Sequence, residues 1–419
     1  LKKGDVTVTI EEKFAKLGVD NAPGQEVRRK DSSAKLTGEE LPGTPVDFSH
    51  GDVNAHPPIP GSIETFDQGY ALGAAQAYTE YRGKLSLREG LAKKLADFTG
   101  APVDADQELI LTPGTQGALF LAMGANIAHG DKVAIVEPDY FANRKLVTFF
   151  EGELVPVGLD YFGAQGKAAG LDLNRLEAIF ADGVKLFIFS NPNNPTGVIY
   201  TAEEIRAIGE LAAKYHVKVI CDELYSRQIF DGRTYTHLRS LQVMDNEDLV
   251  TIIGPSKTES MSGFRLGAAF GSRSMIQRME KLQAIVSLRA AGYCQAVISR
   301  WFNEPEGWME ARVAAHQAIR DDILAAFAKI PGVRVRPAEG GSYLFPQLPP
   351  LTLSLQEFIG ALRSQAHVIV TPGTEFGPQY TDSFRINFSQ DHDAAVAAVE
   401  RIGQMIERYR APKESEVKA

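Results

Sequence analysis

Between about residue 108 and residue 270, short apolar runs alternate with helix-like stretches, and that alternation leaves few architectures open. The runs are Leu109-Ile110-Leu111, Val133-Ala134-Ile135-Val136, Leu186-Phe187-Ile188-Phe189, Val217-Lys218-Val219-Ile220 and Val250-Thr251-Ile252-Ile253. Each is too short for a helix and rich in β-branched or aromatic residues, while 116–127 and 202–214 between them have helical spacing. Strand, helix and strand in this order form βαβ units, whose parallel sheet is covered on both faces. In such sheets ligands bind beyond the carboxyl ends of the strands, so the loops that follow these runs are where chemistry is expected.

The flanks read differently. Residues 1 to about 46 are polar, carry Glu11-Glu12 and Arg28-Arg29-Lys30, and lack strong periodicity, as in an arm. A short strand-like run, Val46 to Val53, is followed by the Pro-rich His56 to Pro60, then a helix-like run from Gly69 to Gln76. Leu87, Leu91, Leu95 and Phe98 describe an amphipathic helix. Beyond 300 come a long helical region over 305–329, the run Ser342 to Phe345, a helix over 355–364, and strands near His367 to Val370 and Phe384 to Phe388. These shorter elements indicate a second, smaller α+β domain. The expected division is 1–65 as arm and part of the small domain, 66–300 as the large domain, and 301–419 as the small domain, with a charged, unstructured tail from Arg410.

At 419 residues and 44% hydrophobic content the chain can bury two substantial cores. A formal net charge of −9 argues against nucleic acid or an anionic membrane surface as partner. Only Cys221 and Cys294 are present, which excludes a disulfide framework, and no metal-ligand spacing occurs. There is no run of about 18 apolar residues and the first residues are charged, so neither a membrane span nor a targeting segment is expected. The expected compartment is the cytoplasm and the expected partner a small molecule.

Several loops carry reactive or anion-binding residues. Thr112-Pro113-Gly114-Thr115-Gln116-Gly117 follows a strand and opens a helix, so its free N–H groups suit a phosphate. Pro138-Asp139-Tyr140 places an aromatic ring in the same ridge. Ser190 to Gly197 holds two Asn-Pro steps and a Gly, a turn that aims an amide, best assigned to Asn194, at the strand ends. Asp222-Glu223-Leu224-Tyr225 sets an acid directly after an apolar strand, where it needs a cation. Lys257, framed by Ser256 and Thr258 and eight positions before Arg265, suits a Schiff-base amine beside an anion-binding partner. Taken singly, each could be an ordinary turn, cap or surface residue, the Ser190 to Gly197 turn least so.

Together and in this order, with Phe384-Arg385-Ile386-Asn387 near the end, the motifs from about Val46 to Phe388 resemble the class I/II aminotransferases of the fold type I pyridoxal-phosphate enzymes. The resemblance implies a large domain with a mostly parallel seven-stranded-type sheet plus a smaller α+β domain, and a homodimer with shared active sites. It implies that Lys257 carries pyridoxal 5'-phosphate as a Schiff base and shuttles the substrate α-proton, and that Asp222 pairs with the pyridinium nitrogen. By the same resemblance Asn194 and Tyr225 bond the ring hydroxyl, and Tyr140 stacks on the ring. Gly114, Thr115, Gln116, Ser256 and Arg265 hold the phosphate. Arg385, with Asn194, takes the substrate α-carboxylate in a bidentate fork, and Gly51 gives the substrate room. Tyr78, five residues before Gly83, matches the tyrosine that reaches the partner's phosphate; Tyr81 matches the corresponding residue of aminocyclopropane-carboxylate synthases.

The chain departs from the family where Pro255 replaces a usual hydroxyl residue and where His50-Gly51-Asp52-Val53-Asn54 borders the substrate. Gln116 stands where some aspartate-specific relatives carry a lysine, and Arg289, near a segment that supplies a cation in others, is expected to be a solvated helix residue. Phe48, Phe141, Tyr293 and Tyr343 are candidates for an aromatic-tolerant pocket. The expected reaction is transfer of an amino group from an L-amino acid to a 2-oxo acid such as 2-oxoglutarate or pyruvate. The alternatives are a lyase, a cyclopropane-forming synthase, a racemase or an oxidase on the same cofactor, and a binding protein without catalysis.

Overall fold

Seven strands form the central sheet: β1 (Leu109–Pro113), β2 (Lys132–Glu137), β3 (Glu153–Gly158), β4 (Leu186–Ser190), β5 (Lys218–Asp222), β6 (Leu249–Ile253) and β7 (Leu266–Gly271). The computed structural model in which they are seen describes residues 9–18 and 36–412. The spatial order is β1-β7-β6-β5-β4-β2-β3, and β7 alone runs antiparallel, against both β1 and β6. Side chains alternate between the faces as the pleat requires. Phe187, Phe189, Val219 and Cys221 join one apolar core, while Leu186, Ile188, Ile220, Val250 and Ile252 join the other. Helices Ala202–Tyr215 and Gly114–Gly124 contribute to these two layers. With both faces covered, the central strands read as continuous apolar runs, which is why they were visible in the sequence.

Two strands escape that pattern. β3 lies at the sheet edge, is largely half-exposed, and contains Pro156 and Gly158. β7 reads Leu-Gly-Ala-Ala-Phe-Gly, with little β preference, because space rather than propensity selects its residues. A Cβ at Gly267 would fall on the backbone of Gly114, where the helix Gly114–Gly124 begins. The helix expected over Gly69 to Gln76 is instead two pieces, Ser62–Ala71 and Ala74–Ala77, parted at Gly73 with φ +56°. Within the arm, Ile10–Ala15 is helical, closed by a reciprocal Thr9–Glu12 capping box that lack of periodicity concealed. The basic run at 28–30 and the tail from 413 lie outside the described residues.

A smaller layer stands beside the sheet. Val46–Asp47 pairs in parallel with Val368–Ile369, and Thr371–Pro372, Phe384–Asn387 and Tyr343–Leu344 form an antiparallel three-stranded sheet. Helices Trp308–Ala328, Leu355–Gln365 and His392–Arg408 pack with it around Phe48, Phe327, Phe358, Phe384 and Ile402. The helices over 305–329 and 355–364 thus stand where periodicity put them. Among the described residues, no helix is long and apolar enough to cross a membrane.

Candidate active site

The carboxyl ends of β4 and β5 set the floor of the site. Ser190 and Asp222, the last residues of these strands, are register partners, and the Asn191 amide donates to the Asp222 carbonyl at 2.9 Å. The Asp222 side chain is buried and accepts from the Leu224 amide at 3.1 Å. Among the described residues no cationic side chain forms an ion pair with it. Burial therefore pushes its carboxyl up to about 7, with the Leu224 amide pulling the other way. Beside it, Asp139 accepts from the Ser190 hydroxyl, the Ser190 amide at 3.0 Å and the Tyr140 amide at 2.6 Å. Asp139 thus clamps the loop after β2 to the end of β4, a role that its place in Pro138-Asp139-Tyr140 did not announce.

One wall is the start of helix Gly114–Gly124, whose first turn has no side-chain cap. Its N–H groups are therefore open to an anion. Gly114 has φ +73°, and a Cβ there would overlap the Arg265 guanidinium, which donates to the Ser262 carbonyl at 3.1 Å. A Cβ at Gly254 would meet Thr115 Cγ2 at 2.7 Å, so Ser256, two residues on, lies near this helix end. The Ser256 hydroxyl donates to the Leu266 carbonyl at 3.3 Å. Tyr140 donates to Gln116 Oε1 at 2.9 Å, which fixes the edge of its ring. Gly114, Thr115, Gln116, Tyr140, Ser256 and Arg265 are thus gathered in one place.

The opposite wall comes from the smaller layer. Arg385 is buried and donates to Asn194 Oδ1 at 3.0 Å, the Ser49 carbonyl at 3.1 Å and Thr371 Oγ1 at 3.4 Å. Its guanidinium lies 4.2 Å from the Tyr343 ring centroid and 5.0 Å from that of Phe376, and its Nε is buried without a partner. The Tyr225 hydroxyl donates to the Tyr343 hydroxyl at 2.7 Å. Burial raises Tyr225 well above its usual range. Burial also works on Tyr343, but the charges of Lys257 and Arg385 outweigh it and the net direction is down. Half-buried Lys257 is therefore near enough to Tyr343 for its charge to act on that phenol. Two residues from Ser49, Gly51 packs against Ser389, where an added Cβ would sit 3.3 Å from the hydroxyl.

Tyr78 is not in this cluster. It is 80% exposed, and the Arg289 guanidinium lies 5.8 Å from its ring and 5.5 Å from that of Tyr81. Of the aromatic candidates Tyr343 lines the site, whereas Phe48 is buried in the core of the smaller layer and Tyr293 packs edge-on against Tyr70. Glu339 was also not foreseen. It accepts from the Ile199 amide and Arg336, and its own amide donates to the Gly197 carbonyl, tying the Asn191–Gly197 turn to the smaller layer.

Known proteins are similar to this chain in sequence and fold. Residues 46–402 match the model of the family described as aminotransferase class I and II. The aspartate aminotransferase of Geobacillus stearothermophilus is 28% identical over 354 residues, 83% of this chain and 87% of that protein. The crystal structure of an aspartate aminotransferase from Rhodobacter sphaeroides is 60% identical, with a TM-score of 0.91, and covers 96% of this chain and 100% of its own. An aromatic aminotransferase from Pyrococcus horikoshii, 23% identical with a TM-score of 0.79 over 87% of this chain and 96% of its own, shares the fold. The chain belongs to the class I and II aminotransferases. Its activity is the transfer of amino groups from amino acids to 2-oxo acids.

Proposed function

We propose that the chain is a pyridoxal 5'-phosphate-dependent aminotransferase acting on L-aspartate, with 2-oxoglutarate as acceptor. The observation that carries the cofactor is Asp222: a buried carboxyl with no cation is costly unless a ligand brings one, and a protonated pyridine does. The uncapped helix at Gly114 and the adjacent Arg265 fit the phosphate. When bound, this cofactor supplies an electron sink for the pair of electrons left at the substrate α-carbon. Lys257 Nζ is the amine of attachment and, once free, the group that takes the α-proton. Asn194 and Tyr225 are assigned to the ring hydroxyl, and Tyr140 covers the ring face. Arg385 takes the α-carboxylate with its forked donors, and Gly51 keeps that approach open.

The dicarboxylic substrate is supported by the names of the relatives and by Arg289. That residue is half-buried and its Nε lacks a partner, unlike the solvated side chain expected from sequence. Around it Tyr70, Leu72, Tyr78, Ile285, Val286 and Leu288 leave large apolar groups at the surface. We take that surface as the contact with a second copy, so that Tyr78 and Arg289 serve the partner's site, Arg289 as the cation for the distal carboxylate. We take 1–65 with 301–419 and 66–300 as the working units: Val46 and Phe48 share a core with Phe358 and Phe384, although Ile59 and Trp301 pack against the central sheet. With Cys221 and Cys294 both free, the cytoplasm is the compartment we assign.

The test is the visible spectrum of the protein loaded with cofactor. L-Aspartate is expected to bleach the band and 2-oxoglutarate to restore it. Arg289→Leu is expected to lower kcat/KM for L-aspartate by about 10²-fold while sparing apolar amino acids. A band that bleaches with aromatic but not dicarboxylic amino acids overturns the substrate, and light scattering that shows only monomers overturns the shared site.

A further inference from the structure

Tyr343 reaches the site from the smaller layer, yet its surroundings tie it to the cofactor side. Its neighbour Ser342 accepts from Gln228 Nε2 at 2.9 Å, the Gly341 amide donates to the Gln228 carbonyl, and Gly340 donates to the Gly197 carbonyl. The Gln228 amide in turn donates to the Tyr225 carbonyl. The segment 339–343 is therefore fastened to both the Asn194 turn and the Tyr225 loop. Its ring is held under the Arg385 guanidinium, and its oxygen lies 2.7 Å from that of Tyr225. The charged and titratable groups facing this phenol pair are Lys257, Arg385, Asp222 and Tyr140.

We propose that Tyr343 is a positioning residue that acts through Tyr225: it donates to the Tyr225 oxygen when the Tyr225 proton turns to the ring hydroxyl of the bound cofactor. The inference rests on the cofactor reading above. The proton count balances, since each phenol has one proton and each oxygen can accept. In the structure Tyr225 donates and Tyr343 accepts; with an acceptor placed beyond Tyr225, both donors rotate by one step and no proton is gained or lost. Arg385, with its guanidinium 4.2 Å from the Tyr343 ring centroid, favours this direction, because its charge polarises the Tyr343 O–H and makes it the better donor of the pair. A donor that itself accepts a hydrogen bond is strengthened, by roughly 10–30% per bond. Tyr225 then stabilises negative charge on the ring hydroxyl more than it would alone.

The readout is the pH midpoint of the absorption change of the bound cofactor, not turnover. A stronger donor at the ring hydroxyl favours the deprotonated chromophore and lowers the midpoint, so Tyr343→Phe, which keeps the ring under Arg385, is expected to raise it by about half a pH unit. Tyr225→Phe is expected to raise it further, and adding Tyr343→Phe to that variant to do nothing more, since the relay has lost its second member. Incorporation of 3-fluorotyrosine at 343, a more acidic phenol, is expected to lower the midpoint. A midpoint unmoved in Tyr343→Phe, or raised equally with and without Tyr225, overturns the relay alone. Should Tyr343→Phe fail to fold, an unmoved midpoint in the fluorinated protein overturns it. A wild-type protein that gains no chromophore overturns the cofactor reading and the relay with it.

Discussion

Two buried carboxyls stand near the Lys257 loop, Asp222 across from it and Glu259 within it, and they are held in opposite ways. Glu259 accepts from Arg227 at 2.6 Å and from Trp301 Nε1 at 3.0 Å, and Arg227 also pairs with Glu304 at 2.8 Å. Asp222, equally enclosed, has one backbone donor and, among the described residues, no cation paired with it. Burial raises both, but only Glu259 has its opposing charge supplied by the chain. A satisfied buried pair contributes rigidity, whereas a carboxyl left open costs stability until something fills the place beside it. The first holds the loop that contains Lys257; the second is the place we assign to a cationic ligand.

The sharpest break between the two sides comes from Lys257 itself. Lys257→Ala is expected to lower kcat/KM for amino transfer by at least about 10⁴-fold while leaving the circular dichroism unchanged. Next in size is Glu259→Gln, which takes one of the two carboxylates from Arg227, leaves Glu304 to balance its charge, and is expected to cost about 2 kcal/mol of stability through the weakened charged hydrogen bonds, read by urea unfolding. Asp222→Asn should move the other way. In the cofactor-free protein the folded carboxyl stays protonated up to about pH 7, whereas its unfolded value is 3.8. The folded state then binds the extra proton, and stability falls as pH rises from about 4 to 7. Water entering the open site softens the effect to about 2 kcal/mol. Asp139, likewise raised to about 7 by burial, keeps its own share of the slope, so Asp222→Asn makes the slope shallower rather than flat, and the variant unfolds at higher urea than wild type at pH 8 and at the same urea at pH 4. A wild-type slope unchanged by the substitution would show that Asp222 is not the group left open.

The legibility of these features follows the same division. Strands buried on both faces and helices with a clear period, such as Ala202–Tyr215 with its Thr201–Glu204 capping box, could be read because burial and capping leave a residue-level record. β7 could not, since its small residues answer to the backbone of Gly114 more than a hundred positions away. In the site, Gly114, Asn194, Asp222, Tyr225, Lys257 and Arg385 were legible as loop residues after strands or by their order, and the fold does bring them together. The partners that hold them were not. Asp139, Glu339 and Tyr343 act through hydrogen bonds that reach 51, 140 and 118 positions along the chain, and no periodicity records such a contact, so Tyr343 was legible only as a pocket aromatic. Tyr78 and Arg289 belong to a surface, and a surface is completed by what meets it.

The smallest expected effect tests how the open side is supported. Tyr140 offers two things at once: a ring wall, which rests on Phe141 at 4.6 Å between centroids, and a hydroxyl that donates to Gln116 at 2.9 Å. Tyr140→Phe removes the second and keeps the first. A hydrogen bond between neutral groups is worth about 1 kcal/mol, so cofactor affinity, measured by equilibrium dialysis, is expected to weaken about fivefold, with kcat nearly unchanged. Tyr140→Leu removes the ring as well and should weaken it further, because stacking against a flat ligand is lost. If the Phe variant binds as poorly as the Leu variant, then Gln116, and not the ring, organises this wall. The open side would then resemble the Glu259 side, with its geometry set by polar contacts within the chain and the ligand only filling a place already fixed.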